Sequence, residues 1–295
     1  MKYKTAAAFR HALEERLRQQ SLEGGQSLTR LRKMVAFDRF LARLDKKEPE
    51  AWIVKGGFAL QLRLGDRART TKDIDVSATN RWTREETAAH LRAVASLAFA
   101  DWFEFEVAEP VEAATGAPGN GLRFQVRCLL DGRQFENFHL DVGYGDPVLG
   151  TPDVLTAPDV LAFADIAPAK VRCCPLTTQI AEKLHTYTRT YASGETSRAR
   201  DLADILLAAS LEQFNNTKLR QAIEATFRAR ASHAVPRKMP EPPERIRASY
   251  RKLVRELDLP WATIEEAARA AAQFLNPILM GNAHARWDPI AWRWR

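Results

Sequence analysis

Apolar positions recur at helical spacing through the first forty-five residues. Phe9, Leu13 and Leu17 form one stripe; Leu28, Leu31, Met34, Val35, Phe37, Phe40, Leu41 and Leu44 form a second. Two helices are expected over residues 5–45, parted by Gly24-Gly25, with Ser27 as the cap of the second. The basic residues among them (Arg30, Lys33, Arg39 and Arg43) are expected on a solvated face. The pattern then changes. Ile53-Val54 is a short apolar strand, Gly56-Gly57 a turn, and Phe58, Leu60, Leu62 and Leu64 the apolar side of a helix. A basic turn, Thr70-Thr71-Lys72, leads into a strand, Asp73-Ile74-Asp75-Val76.

Further on, Thr83-Arg84-Glu85-Glu86 is a capping box opening a helix to about Ala98, and Trp102 to Val107 alternates as a strand. Loop residues Gly116 to Gly121 precede a hairpin. Its arms are Leu122 to Leu130 and a return ending Phe138-His139-Leu140-Asp141-Val142-Gly143, joined by Asp131-Gly132, a type I′ turn signal. The Pro- and Asp-rich residues 146–169 are expected to connect two domains. The remainder is expected to be a short strand from Ala169 to Cys174 followed by helices. These run from Thr177 to about Tyr191, Ser197 to about Ala209, Phe214 to Arg230, Glu244 to Leu257 and Ile264 to Phe274. A polar loop with Gly194 separates the first two. The tail holds Trp287, Trp292 and Trp294 between arginines, an arrangement that would either stack on bases or dock onto the helices.

Candidate chemistry lies where strand alternation places acids together. Asp73 and Asp75 share one face of their strand while Ile74 and Val76 share the other. Two adjacent carboxylates repel unless a cation lies between them, so the pair is suited to a divalent metal. The nearby glycines let backbone N–H groups approach a phosphate. In the hairpin's return arm His139 and Asp141 oppose Phe138, Leu140 and Val142, so Asp141 is a candidate third carboxylate. In the second half Lys183 lies beside an apolar helix face. Asp201 and Asp204 lie three apart on the next helix, as surface decoration, as partners of Arg198 and Arg200, or as functional groups.

Composition narrows the class. Of 295 residues, 45% are hydrophobic and 27% charged, values of a globular protein with length for a real core. No apolar run is long enough to cross a membrane, the start lacks a secretory pattern, and three cysteines, two adjacent, suit neither a disulfide framework nor a zinc knuckle. A cytoplasmic protein is expected. A net charge of +7 suits a phosphate-rich partner.

Four blocks in order carry a resemblance: Val54-Lys55-Gly56-Gly57, Arg69-Thr70-Thr71-Lys72-Asp73-Ile74-Asp75, Gln179-Ile180-Ala181-Glu182-Lys183-Leu184-His185 and Arg200-Asp201-Leu202-Ala203-Asp204. Together they resemble the AbiEii/AbiGii toxin family, nucleotidyltransferases of the DNA polymerase β-type fold in bacterial toxin–antitoxin systems. The resemblance implies an α+β fold. A polymerase β-like mixed sheet with flanking helices over residues 1–160 would be followed by a mainly helical C-terminal domain, residues 161–295, contributing Lys183 and Asp204 to the site. It implies Asp73, Asp75, Lys183 and Asp204 as catalytic residues. Lys55, Gly56, Gly57, Thr71, Lys72 and Lys183 would bind the nucleotide, and Asp73, Asp75 and Asp141 the metal. Where the polymerase β fingerprint is Gly-Ser this chain has Gly-Gly, so the serine's phosphate contact passes to backbone or Thr71.

The resemblance further implies Mg²⁺ (or Mn²⁺), a nucleoside triphosphate donor, with a pyrimidine favoured, an RNA acceptor such as the 3′ end of tRNA, inhibition of translation and growth, and a cognate antitoxin encoded nearby. Two alternatives differ in class. One is transfer to a protein or small-molecule hydroxyl; the other is a catalytically inactive RNA- or partner-binding module of the same fold.

Overall fold

The computed structural model describes residues 2–113, 121–190 and 198–295. The expected loops at Gly116 and Gly194 lie outside them. Two compact units divide the chain. Met1–Leu62, Thr70–Tyr144 and Asp153–Cys173 form the first; Arg63–Arg69, Gly145–Pro152 and Cys174–Arg295 form the second.

The first unit is mixed α/β. In chain order its elements are α1 (Ala6–Gly24), α2 (Leu28–Lys47), β1 (Trp52–Lys55), α3 (Gly56–Leu64), β2 (Asp73–Ala78), α4 (Arg84–Ala95), β3 (Phe103–Val107), β4 (Val111–Glu112), β5 (Leu122–Leu130), β6 (Arg133–Gly143), β7 (Asp153–Thr156) and β8 (Lys170–Cys173). The strands form a mixed sheet in the order β3-β5-β6-β2-β1-β8-β7, with β4 on the edge of β5. The β2–β6 and β1–β8 pairs are parallel and the others antiparallel.

Local chemistry explains these boundaries. Gly25 ends α1 in the left-handed conformation, and the Ser27 hydroxyl accepts from Arg30 N to start α2. The Thr83–Glu86 capping box is formed at α4. Asp131 and Gly132 both have positive φ, the requirement of a type I′ hairpin turn between β5 and β6. Alternation then sorts the sheet's faces. Ile74, Val76, Phe138, Leu140 and Val142 are buried in the core. Phe37 of α2 meets Phe138 edge to face at 5.0 Å and Phe58 of α3 at 5.1 Å. Asp73, Asp75, His139 and Asp141 project from the opposite face.

Three expectations are corrected. Gly56-Gly57 is the first turn of α3, which begins directly after β1, so strand passes into helix without a separate loop. Residues 153–169 are not a connection: they hold β7, which pairs with the expected strand, β8, and both belong to the sheet unit. The basic residues of α2 are not all solvated. Arg43 is fully buried and places all five donors, on Asp101 Oδ1 and Oδ2 and on the carbonyls of Arg39, Leu97 and Phe103. Arg39, also buried, pairs with Asp38 and donates to Ala167 O. Lys33 donates to Asn137 O and Glu136.

The second unit is mainly helical: α5 (Leu176–Thr188), α6 (Arg198–Ala209), α7 (Asn216–Arg230), α8 (Arg247–Leu257) and α9 (Ile264–Met280), closed by a two-stranded ribbon, β9 (Trp287–Asp288) and β10 (Arg293–Trp294). Helix α9 runs past Phe274 and over Pro277, at the cost of one helical hydrogen bond, and ends at Gly281 with φ 75°. The tail's tryptophans dock. Trp287 Nε1 donates to Ala209 O at 2.8 Å, Trp292 Nε1 to Ala270 O at 3.1 Å and Trp294 Nε1 to Phe274 O at 2.7 Å. The rings also pack on one another and on Phe274, with Trp287 and Trp294 buried, which decides for docking over base stacking. No helix of the described residues is long and apolar enough to cross a membrane.

Candidate functional site

The polar face of the first unit's sheet carries an ordered row of charges. Register places Arg123 of β5 opposite Asp141 of β6, Asp141 beside Asp75 of β2, and Asp75 opposite Lys55 of β1. Asp73 and His139 are neighbours in the next row, with Asp73 Oδ1 3.3 Å from His139 Nδ1. Thus Asp73, Asp75 and Asp141 do project from one face. Asp141, however, is held by Arg123, whose Nε and Nη2 donate to its two oxygens at 2.7 and 2.6 Å. That hydrogen bond, opposed by burial and reinforced by the charges of Asp141, Asp73 and Asp75, holds the guanidinium pKa above its usual range. Among the described residues, no group of three or more His, Cys, Asp or Glu is gathered to hold a metal ion.

Gly56 sits against Asp75. Its φ is +65°, and a Cβ built there would fall 2.7 Å from Asp75 Cγ and closer still to Oδ2. The start of α3 therefore accommodates the carboxylate only because no side chain intervenes. Gly57 follows, buried, in the same first turn, where backbone N–H groups lack helical partners and favour anions. Lys55 points over Gly143, its Nζ 3.1 Å from where a Cβ would stand. Thr71 is buried and its hydroxyl donates to Asp73 O at 3.1 Å, fixing the entry to β2. Lys72 is exposed.

The second unit has its own charged cluster. Lys183 Nζ lies 3.1 Å from Asp201 Oδ1 and 2.9 Å from Asp204 Oδ2, and Arg69 donates to Asp204 through Nε at 3.2 Å and Nη2 at 3.1 Å. Both aspartates are about 2% exposed, so they are not surface decoration. Arg198 instead donates to Arg189 O. Burial pulls the Lys183 pKa down, but Asp204 and Asp201 outweigh it and hold the ammonium above the usual lysine range. Burial likewise raises Asp204, and Lys183 and Arg69 overcome it to hold the carboxyl below its usual range. Two cations and two anions thus balance in a low-dielectric setting.

A family model described as nucleotidyl transferase AbiEii toxin, type IV toxin–antitoxin system, matches residues 39–288. The chain belongs to this toxin family. It is a nucleotidyltransferase toxin of the type IV class, and the family implies a cognate antitoxin. No curated protein matches it in sequence. Among solved structures it is similar to MenT4, a nucleotidyltransferase toxin from Mycobacterium tuberculosis H37Rv, with 18% identity and TM-score 0.57, covering 91% of this chain and 98% of that one. JHP933 from Helicobacter pylori aligns at 16% identity and TM-score 0.45 over 84% of this chain and 91% of that one. A putative nucleotidyltransferase from H. pylori aligns at 16% and 0.45 over 85% and 97%. The MenT4 likeness shows the fold, a mixed sheet with flanking helices.

Within this toxin, reasoning from sequence did not identify Arg123 or Arg69 as working groups. Arg69 stands in the block that leads to Asp73, so its position was visible although its partner was not. Arg123 becomes visible only through strand register, which places it opposite Asp141. The donor set fits a hard divalent cation: two carboxylates on one face, one seated against a glycine whose Cβ would fill the space.

Proposed function

We propose that this toxin is a metal-dependent NTP:RNA nucleotidyltransferase that adds nucleoside monophosphate to the 3′ end of tRNA and so arrests translation in the cytoplasm. The observation that carries the reading is the seating of Asp75 against Gly56, beside Asp73 and at the first turn of α3. Asp73 and Asp75 would hold Mg²⁺ or Mn²⁺, which when bound supplies charge neutralisation for the triphosphate. Lys55 and the Gly56-Gly57 backbone bind phosphate oxygens at the helix start. Thr71, donating to Asp73 O, orients the metal-binding strand, and Lys72 adds positive charge at its entry. Lys183, its ammonium kept charged by Asp201 and Asp204, is the phosphate-binding cation of the helical unit. The acceptor's hydroxyl oxygen bonds to the α-phosphorus as the bond from that phosphorus to the bridging oxygen breaks; pyrophosphate leaves with that electron pair and the hydroxyl proton passes to water.

Two features support an RNA acceptor. The net charge is +7, and α8 exposes Arg247, Arg251, Lys252 and Arg255 along one side. The test is incubation of the purified chain with Mg²⁺, total tRNA and each α-labelled NTP, read on a denaturing gel. Label on RNA, expected with a pyrimidine NTP, supports the reading. Label on protein or a small molecule instead would replace the acceptor, and no label with no nucleotide binding would leave a binding module.

A further inference from the structure

The in-register row Arg123–Asp141–Asp75–Lys55 spans four adjacent strands and places a cation at each end of a carboxylate pair. Three carboxylates on one sheet face carry a charge of −3, which a single divalent cation leaves unbalanced. Here these three, Asp73, Asp75 and Asp141, already face two fixed positive side chains. With one divalent cation added, this face carries the same net charge that three carboxylates alone would carry with two. The Arg123–Asp141 contact is a fork-to-carboxylate pair, the strongest geometry available to the two groups, and it occupies both oxygens of Asp141. The two side chains stand directly opposite on antiparallel strands, so the pair forms without bending either backbone.

We propose that Arg123 is a positioning residue that withdraws Asp141 from metal coordination, so that Asp73 and Asp75 take a single divalent cation and the Arg123 guanidinium stands where a second would otherwise be required. This rests on the assignment of Asp73 and Asp75 as metal ligands. It differs from the expectation that Asp141 is a third ligand, because Arg123 takes a lone pair of each Asp141 oxygen and sets a positive charge against any cation approaching there.

The experiment is titration of the full chain with Mn²⁺ alone, following free Mn²⁺ by electron paramagnetic resonance. The expected result is one Mn²⁺ per chain, lost in Asp75→Asn and retained in Asp141→Asn, with affinity lowered by no more than about tenfold because Arg123 is left uncompensated. Arg123→Gln releases Asp141, so affinity rises by about tenfold or a second Mn²⁺ binds. Circular dichroism establishes that each variant is folded, and if Arg123→Gln is not, Asp141→Asn still decides the matter. Two Mn²⁺ in the unaltered protein, one of them lost in Asp141→Asn, would overturn the inference while leaving the metal assignment standing. No Mn²⁺ bound, or binding indifferent to Asp75→Asn, would overturn that assignment and the inference with it.

Discussion

Gly56 and Asp75 are packed so closely that a Cβ on the glycine would overlap the carboxylate, 2.7 Å from its Cγ. Gly56 also has φ +65°, which costs a residue with a side chain about 1 kcal/mol. Gly56→Ala is therefore expected to displace Asp75 and cut nucleotide transfer by more than about a hundredfold, for a stability loss of roughly 1–3 kcal/mol. Asp73→Ala, with no such backbone strain, is expected to abolish transfer with the fold intact. Transfer rates and urea unfolding on both variants test this; unimpaired transfer by Gly56→Ala would mean that Asp75 does no work at this spot.

Lys183 serves the fold through its ion pairs with Asp201 and Asp204. Lys183→Met would leave Asp201 and Asp204 buried with one cation fewer, a loss of about 3–5 kcal/mol near neutral pH. In the unaltered protein the Asp204 pKa is depressed, so its stabilising effect is complete above the unfolded pKa and is lost as pH falls through the lower folded value. In the variant, two close carboxylates raise one pKa, and protonation relieves them as pH falls. The stability gap between the two proteins should thus narrow from pH 8 to pH 5 in urea titrations. A gap of the same size at both would show that Lys183 does not compensate these charges.

Arg43 has no counterpart in any functional block, and its role is wholly architectural. It fills five hydrogen bonds and pairs with the buried Asp101. Arg43→Met is expected to cost about 3–5 kcal/mol, because three carbonyls lose a donor and Asp101 keeps only Phe103 N–H and the more distant Arg39. Arg43→Met with Asp101→Asn should recover part of that loss, which a double-mutant cycle in urea would measure.

What could be read from the sequence was whatever depends on one element at a time. Strand alternation sorted Asp73, Asp75, His139 and Asp141 away from Ile74, Val76 and Leu140, and caps at Ser27 and Thr83 marked helix starts, because both signals are local. The role of Arg43 was hidden, since periodicity does not tell a solvated basic residue from one that meets a buried aspartate fifty-eight positions away. The Arg123–Asp141 pair was hidden because it follows from the hairpin's register. The strand at β7 was obscured by its flanking prolines, which read as a linker although four backbone pairings hold it to β8.

His185, in the same block as Lys183, gives a different pH response. Burial first, then Arg230, His233 and Arg189, push its pKa down to about 4, and Ser232 Oγ lies 2.8 Å from its Nε2. The folded chain keeps this ring neutral while the unfolded chain protonates it below about 6.5. The unfolded state then holds more protons, so stability falls as pH drops from about 6.5 to 4, by about 3 kcal/mol in all. His185→Gln should flatten that part of the stability curve. An unchanged slope would place the titration elsewhere.

The RNA reading makes a demand on α8. Arg247, Arg251 and Arg255 recur every four residues with Lys252 beside them, all exposed, while Tyr250 and Leu253 face the interior. Arg247 is paired with Glu244 and Glu265, and Lys252 lies 3.7 Å from Glu256, so Arg251 and Arg255 carry the charge this side offers a phosphate backbone; contacts of that kind release counterions and make binding depend steeply on salt. Arg251→Glu with Arg255→Glu leaves the buried side of α8 untouched, so the fold should persist. Affinity for tRNA should drop more than about tenfold, and the slope of log affinity against log salt should flatten by about two, one for each lost phosphate contact. Transfer at saturating tRNA should be far less affected than transfer at low tRNA, because the change acts on acceptor binding and not on the groups around Asp75. Binding measured by fluorescence anisotropy across a salt series distinguishes this from a general loss of charge: an equal double reversal at Arg92 and Arg127, exposed on the first unit, should leave the slope unchanged. If both reversals flatten it alike, the acceptor is held by net charge and α8 has no special part.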